Sequence, residues 1–561
     1  LAELASTPAL KPAPLAGTQQ QLAAFLERRH PDYNGLIDHW NFLEATYDGG
    51  RHWFTDGTQI GVTTFESHNL FRYIKEGDKE YKDRLKRCYR FNHTKEVTDL
   101  VQKYIFKSPV IRNSTDAPEP IKAFWLRATE DGLDINQFMK LASTQSSILG
   151  RPWIFTDTNV DPEDVQSVAD AKAAGAQVYA YIVKPQDVLD IGYSKGGENE
   201  WVLIREWVRD DADPVLGTGA ITLQFRLWME DEWHLFIINE DKTAKTVTVV
   251  EIDQGFNPLG RVPGFPLPHV VGPGRYSAPG LINDIAYLDR AVANYLSNLD
   301  AIIQDQTFSQ LAMPAQNVLP GTDAYKQLEE MGTKRIFLYD GEGGAKPEFI
   351  SPDPRQAGMV VTVINKIINE IYHTIGMAGE RTKSDNNVGI DNSSGVAKAY
   401  DFERMNSLLT SKADSLENGE NKLIELVMLW NSAPVPAKHL VKYPDTFDVR
   451  SLFDEFTLAE RLAIIDAPKL IRQEQMKQVI DKLFPRLDTA TREEMDAELQ
   501  DWPVDLQAVI TAKFGGNTPD VMFPAVATKT PGGAAAKPGK STTKPTASKR
   551  QGQVTKKTPA K

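Results

Sequence analysis

The first repeating pattern along the chain is helical. Leu22, Phe25 and Leu26 share a face ahead of Pro31, and Leu36, Trp40, Leu43 and Tyr47 fall at helical spacing before Gly49-Gly50. A single strong helix is expected over 80–105, where Tyr81, Leu85, Cys88, Tyr89, Val97, Leu100, Val101 and Tyr104 recur at threes and fours. Two more helices are expected over 121–126 and 135–149, the second closed by Gly150. At Arg151 the pattern changes to short runs rich in Val, Ile, Trp and Phe with Gly, Asp and Asn between them. Antiparallel strands are expected at 153–155, 178–183, 188–191, 201–207, 221–228, 234–238 and 247–252. Leu223-Gln224-Phe225-Arg226-Leu227-Trp228 alternates apolar with polar, which predicts one wet face.

A Pro/Gly-dense linker over 256–280 ends this block, and helical periodicity returns. Leu281, Ile285, Leu288, Val292, Leu296, Leu299 and Ile303 step by fours and threes, so a helix over 277–303 is expected to run about 40 Å. Its other side carries Asp284, Arg290, Asn294, Asn298 and Asp300. A small α+β insertion follows over 304–351, with a helix around 323–331, a strand at 335–339 and another near Phe349. The turn Asp340-Gly341-Glu342-Gly343-Gly344 is read as joining those two strands in a hairpin. A second long helix over 356–377, about 33 Å, carries Val360, Ile364, Ile367, Ile371 and Ile375 on one stripe. The polar segment 379–392 leads to the longest helix, 393–431, near 58 Å, with Asn392 or Ser393 as N-cap. Helical segments at 458–465, 473–483 and 491–499 are separated by Pro468, Pro485 and Pro503.

Composition narrows the classes. The 561 residues are 41% hydrophobic and 25% charged, as in ordinary globular proteins, and contain one cysteine, Cys88. That excludes an internal disulfide framework and multi-cysteine metal sites, and fits a reducing compartment. No apolar run is long enough to span a membrane. The Ala/Pro-rich start lacks a basic stretch leading into an apolar core and does not read as an export signal. The net charge of −13 hides an asymmetry, because residues 521–561 hold nine Lys/Arg and no acid, leaving −22 on the rest. An acidic body does not suit a groove-reading DNA protein, yet it suits a surface that DNA passes without sticking. The basic, low-complexity tail from about 515 is expected to be disordered in isolation, and to bind nucleic acid weakly.

Chemical motifs are few. Gly192-Tyr193-Ser194-Lys195-Gly196 matches the nucleophile-elbow pattern, but a strand rather than a helix is expected after it, which makes it a hairpin turn. Ala534–Ser541 resembles a phosphate loop only loosely and sits in the low-complexity tail. The nine histidines do not cluster, and His52, His68, His93 and His234 read as surface or satisfied core residues. The Asp/Asn-rich stretch 385–391 lacks the Glu a calcium loop needs at its twelfth position, where Val396 stands. No acid/base pair can be argued from spacing, so no catalytic, cofactor or metal site is expected.

What stands out is architectural. Two long helices bracket a small insertion, a polar loop follows, and a still longer helix comes next; apolar stripes of that length are expected to need neighbouring copies to cover them. This organisation resembles the portal (head-to-tail connector) proteins of tailed bacteriophages over about residues 30–515. Local signatures add to the order of parts. Tyr81-Lys82-Asp83-Arg84-Leu85-Lys86-Arg87 through Phe91-Asn92-His93-Thr94 and Val97-Thr98-Asp99-Leu100 resembles the N-terminal helix of many portals. Leu149-Gly150-Arg151-Pro152-Trp153-Ile154-Phe155-Thr156-Asp157 resembles the entry to the wing sheet, and Ser394-Gly395-Val396-Ala397-Lys398 the start of the long wing helix.

The resemblance implies an α+β, portal-like fold, mainly helical with an antiparallel β block. Its parts would be a flexible arm (1–18), a wing (19–276), stem helices (277–303 and 352–378) and a clip (304–351) between them. A tunnel loop (379–392), a long wing helix (393–444), a helical crown (445–514) and the basic tail (515–561) would follow. The crown carries no motif of the family. The implied role is a dodecameric, non-enzymatic ring at one capsid vertex of the virion. Double-stranded DNA would pass through it during packaging and ejection, with terminase, major capsid protein and a head–tail adaptor as partners, host cytoplasm as the place of assembly, and no membrane or cofactor. Arg381, Lys383, Asn386 and Asn387 would face the DNA, and Ile285, Val292, Leu299, Ile364 and Ile371 would form the oligomer stem. Another phage structural protein of tail or baseplate, or a hydrolase with a carboxylate pair in the sheet block, are the other classes the sequence leaves open.

Overall fold

A computed structural model describes residues 11–54, 69–73, 76–160, 175–211, 213–241, 246–307, 310–314, 323, 336–339, 348–350, 354–376, 395–445, 447, 468–483 and 489–502. The chain divides into two units: Leu1–Phe456 with Ile480–Pro485, and Thr457–Val479 with Arg486–Lys561. The fold is α+β.

The larger unit opens with four helices. α1 (Gln19–Glu27) starts in a capping box, in which Gln21 N–H donates to the Thr18 hydroxyl and Thr18 N–H donates to the Gln21 side chain. The preceding residues 11–18, read above as part of a flexible arm, are instead anchored. Lys11 pairs with Asp253 at 2.9 Å, the Pro12 carbonyl accepts from Gln254, and Leu15 N–H donates to Glu251. α2 (Tyr33–Asp48) ends at Gly49, whose φ of +65° suits glycine. The expected single helix over 80–105 is two helices, α3 (Asp78–Arg87) and α4 (His93–Ile105). The break is set by polar residues recruited to tertiary contacts. Arg90 reaches the Thr46 carbonyl and Asp289, while Asn92 donates to the Tyr47 carbonyl and caps α4 through Lys95 N–H.

Next come β1 (Ile111–Arg112), α5 (Glu119–Leu126) and α6 (Ile135–Leu149), the last N-capped by Asp134 and closed by Gly150. Gly150 has φ +82°, and a Cβ there would fall 1.8 Å from the Ala278 carbonyl oxygen, so the backbone passes where no other residue fits. The sheet block then follows as the apolar runs predict: β2 (Trp153–Thr158), β3 (Val178–Val183), β4 (Val188–Tyr193), β5 (Asn199–Arg209), β6 (Ile221–Met229), β7 (Glu232–Asp241) and β8 (Thr246–Phe256); an unexpected short strand, β9 (Gly264–Pro266), lies in the segment read as a linker, where it pairs with β2. β4 to β8 form an antiparallel meander, and β3, β2 and β9 a second antiparallel sheet. Phe225 and Leu227 of β6 are buried as the alternation requires. Its polar face is less wet than expected, because Arg226 is bonded to Glu206, lies 3.9 Å from Asp157 and is stacked over Trp228 and Trp233.

The first long helix, α7 (Ile285–Thr307), begins eight residues later than its period suggested. The residues before it are held elsewhere: Leu281 N–H donates to the Ser147 carbonyl, and Gly280 lies against the Ile148 carbonyl. Three short strands follow, β10 (Gln310–Pro314), β11 (Ile336–Tyr339) and β12 (Glu348–Ile350). The expected hairpin between β11 and β12 does not form. β10 lies between them, parallel to β11 and antiparallel to β12. A five-residue run ending in proline gave the sequence no strand signal there, and its pairing removes the direct β11–β12 ladder. The helix expected at 323–331 lies outside the described residues apart from Asp323, which is helical.

The second long helix is α8 (Pro354–Thr374), opening on a proline whose missing N–H costs nothing there. The longest is α9 (Gly395–Trp430), buried through Met405, Leu409, Ala413, Leu416, Leu423, Leu426 and Val427 in one core with α2, α4, α6 and the sheets. β13 (Val441–Lys442) pairs with β1. Arg112 and the Tyr443 hydroxyl both bond to Glu420 on α9, which fixes this small ladder to the core. In the smaller unit, α10 (Lys469–Leu483, mostly within it) and α11 (Thr489–Asp501) are described. The Gln473 side-chain amide donates to carbonyls at the end of α11 and just beyond it, those of Leu499, Gln500 and Trp502.

Candidate stem helices and channel segment

α7 and α8 pack along each other. β10, after α7, pairs antiparallel with β12, before α8, so the chain leaves along one helix and returns along the other. Ile285 and Ile371 meet in the main core, together with Ile375. Val292, Leu296 and Ile364 form a separate cluster, flanked by Leu299, Val360, Ile367 and Ile368. All five residues expected to form the oligomer stem therefore lie on the inward face of this pair. The expectation that the stripes need a neighbouring copy is corrected for most of their described length: they cover each other within one chain, because their periods match across an antiparallel contact, while Ile303 at the end of the α7 stripe stays 48% exposed.

Polar side chains also tie α7 to the rest of the unit. Asp289 is fully buried and accepts from Arg90, the Thr94 hydroxyl and Thr94 N–H. Ser297 accepts from Arg84 at 3.1 Å, and Arg84 forks onto Glu76 with two bonds of 2.7 Å. This fork holds the Glu76 carboxyl below its usual range. Asn294 bridges the Asn69 carbonyl and Phe71 N–H, and Asn298 accepts from the Tyr73 hydroxyl. The motif around Tyr81–Thr94 thus latches α3 and α4 onto α7. Its basic residues gave no hint in the sequence that their partners lay two hundred positions away.

Apolar surface is left over on both helices. On α8, Met359 and Val361 are 67% and 40% exposed, and on α7 Tyr287, Tyr295 and Ile303 are 40%, 37% and 48% exposed. Met359 and Val361 flank Val360 of the buried stripe. At about 100° per residue they face opposite sides of the pair.

The expected channel residues Arg381, Lys383, Asn386 and Asn387 lie outside the described residues, as do Asn392 and Ser393. The Gly192–Gly196 motif is a hairpin turn between β4 and β5, where Ser194 N–H donates to the Glu198 carbonyl and the Ser194 hydroxyl accepts from Glu198 N–H. His93 and His234 are buried and bonded, to Tyr372 and Glu251 respectively, while His52 is exposed and His68 lies outside the described residues. Among the described residues, no group of three or more His, Cys, Asp or Glu is placed to hold a metal. Nor is any described helix long and apolar enough to cross a membrane.

No protein-family model and no curated protein matches the chain. Two solved assemblies contain a chain it resembles: the neck of an empty GTA particle computed with C6 symmetry, and the virion of a native gene transfer agent (GTA) particle. In both cases the identity is 12% and the TM-score 0.32, over 67% of this chain and 85% of the other. At these values the likeness carries no argument about fold or role.

Proposed function

We propose that the chain is a portal-type head-to-tail connector subunit of a tailed phage-like particle, assembling as a ring through which double-stranded DNA passes. The role is structural, without turnover. The observation that carries this reading is the order of parts: N-terminal helices, an antiparallel β block, a long antiparallel helix pair bracketing a small three-stranded sheet, then the longest helix. The helix pair is the stem, and its outward flanks meet two different neighbours, as a ring built from one repeated head-to-tail contact requires. The sequence resemblance adds the implied twelvefold count and the capsid, terminase and adaptor partners.

The corrected burial changes which substitutions test assembly. Val292→Asp puts a carboxylate in the chain's own core and should lower folding stability. Met359→Glu and Val361→Glu sit on exposed flanks, so each should abolish rings while leaving the melting temperature of the free chain within about 1 °C. Mixing the two variants restores one good contact per pair, and mass photometry should show dimers but not rings. Rings at wild-type yield in both variants would remove this helix pair from the interface.

The segment 379–392 then forms the constriction, and Arg381, Lys383, Asn386 and Asn387 approach passing phosphates. Such contacts act best when individually weak, with acidic neighbours Glu380, Asp385 and Asp391 offsetting the cations. Arg381→Glu with Lys383→Glu should reduce DNA packaged per assembled capsid. Unchanged packaging with intact rings would contradict a role for the loop.

A further inference from the structure

Away from the helix pair, a cleft of about 300 Å³ opens where three elements meet. Arg151 enters it from the junction of α6 and β2, Arg275 from the linker after β9, and Lys422 from α9. Asn418 and Ser415 add polar side chains, and the walls are completed by the Phe265–Pro268 and Val271–Gly274 backbone.

The cleft's electrostatics are one-sided. Among the described residues no Asp or Glu lines it, and none of the three cations lies within ion-pairing distance of a carboxylate. Five other buried or half-buried arginines, Arg84, Arg90, Arg112, Arg205 and Arg226, each hold an acid, and these three cations do not. Arg151 is fixed by one bond to the Gly274 carbonyl, and its Nε is buried with no acceptor. Burial draws its guanidinium below the usual range, opposed only by Tyr193. Arg275 lies over the Tyr193 ring at 5.6 Å and Lys422 near the Phe265 ring at 5.9 Å, so both are positioned by aromatic faces, which leaves their N–H groups to a ligand. Three like charges around one cleft repel each other, and a bound anion relieves that cost.

We propose that this cleft binds a phosphate-class oxyanion, held by Arg151, Arg275 and Lys422. The inference does not depend on ring assembly. The anion is either free phosphate or a phosphate of a nucleic-acid backbone; the chemistry of recognition is shared, and experiment separates the two.

The test uses the full chain and its Arg275→Gln/Lys422→Gln double variant, both sites being exposed enough to keep the fold. Inorganic phosphate is titrated against each at constant ionic strength, with chloride as the balancing anion, and binding is read by calorimetry. Wild type should bind saturably, and the double variant about tenfold or more weaker, since charge-assisted bonds are lost. Arg151→Lys, which keeps the charge but not the fork, should fall between them. A second arm measures a short DNA duplex against both proteins; the basic tail is common to both, so any difference reports the cleft. A parallel loss of DNA binding, competed by phosphate, assigns the anion to nucleic acid. Loss of phosphate binding alone assigns it to free phosphate. Equal phosphate affinity in wild type and double variant, or no wild-type binding beyond that of chloride, would overturn the proposal.

Discussion

Asp289→Ala should destabilise the larger unit by about 3–5 kcal/mol, the cost of leaving a buried charge without its partner. Arg90 and Asp289 are 4% and 0% exposed. Burial already lowers the Arg90 guanidinium from its usual range, with Asp289 as the opposing influence. Arg90 also lies 4.4 Å from the Trp53 ring and donates to the Thr46 carbonyl and Asn92, so it cannot swing out to water without breaking those contacts. Thr94→Val removes one neutral donor to that carboxylate and should cost less, about 1.5–3 kcal/mol. Replacing both charges together, Arg90→Met with Asp289→Leu, should recover much of the loss, because a buried ion pair and an apolar pair of similar volume are often close in free energy. Urea unfolding of the wild type, Arg90→Met, Asp289→Leu and the double variant gives the cycle. A cost below about 1 kcal/mol for Asp289→Ala would mean that α7 is held by its apolar stripe alone.

Lys412→Met should act in the opposite direction and stabilise the fold by about 1–3 kcal/mol near neutral pH. Lys412 is fully buried on α9, bonded to the Ser143 carbonyl and the Ser146 hydroxyl, with no carboxylate in reach. Burial pushes its amine well below the usual lysine range. Ser146 also donates to the Ser143 carbonyl, so a methionine leaves few groups unpaired. The pH dependence follows from the sign of the shift. Between the depressed folded value and the ordinary value near 10.4, the unfolded chain holds a proton that the folded chain does not. Wild-type stability therefore rises with pH across that window and falls on acidification. His269 is buried near this lysine, and burial lowers its value too, adding the same slope below about 6.5. The advantage of Lys412→Met should be largest on the acid side and fade towards about pH 10. Melting curves across that range check it, and an advantage that grows with pH would contradict a neutral buried amine.

These two sites show where the sequence was readable. The stripes of α7 and α8 were legible because they obey a helical period whatever covers them. What covers them was not, since a period names a face and not its partner; Val292 and Ile364 looked like interface residues and are each other's neighbours. The buried polar partners of α7 were not legible either: nothing local to Asp289 or Ser297 shows that Arg90 and Arg84 lie beside them. The meander β4–β8 was legible from strand-length apolar runs with turn residues between them, whereas β10, five residues ending in proline, carried no such signal. Gly150 stood within a motif, but only the 1.8 Å approach to Ala278 explains why glycine is needed there. The cleft of Arg151, Arg275 and Lys422 joins residues as far apart as 151 and 422, beyond any local pattern.

Under the proposed function, copies of this chain close into a ring around a channel. Cryo-electron microscopy of the purified full-length protein tests it most directly. End-on class averages should show one rotationally symmetric ring with an open centre, twelvefold if the family resemblance holds in full. Particles of a single chain, or closed assemblies without a central channel, at concentrations where the wild-type protein is fully folded, would contradict the account.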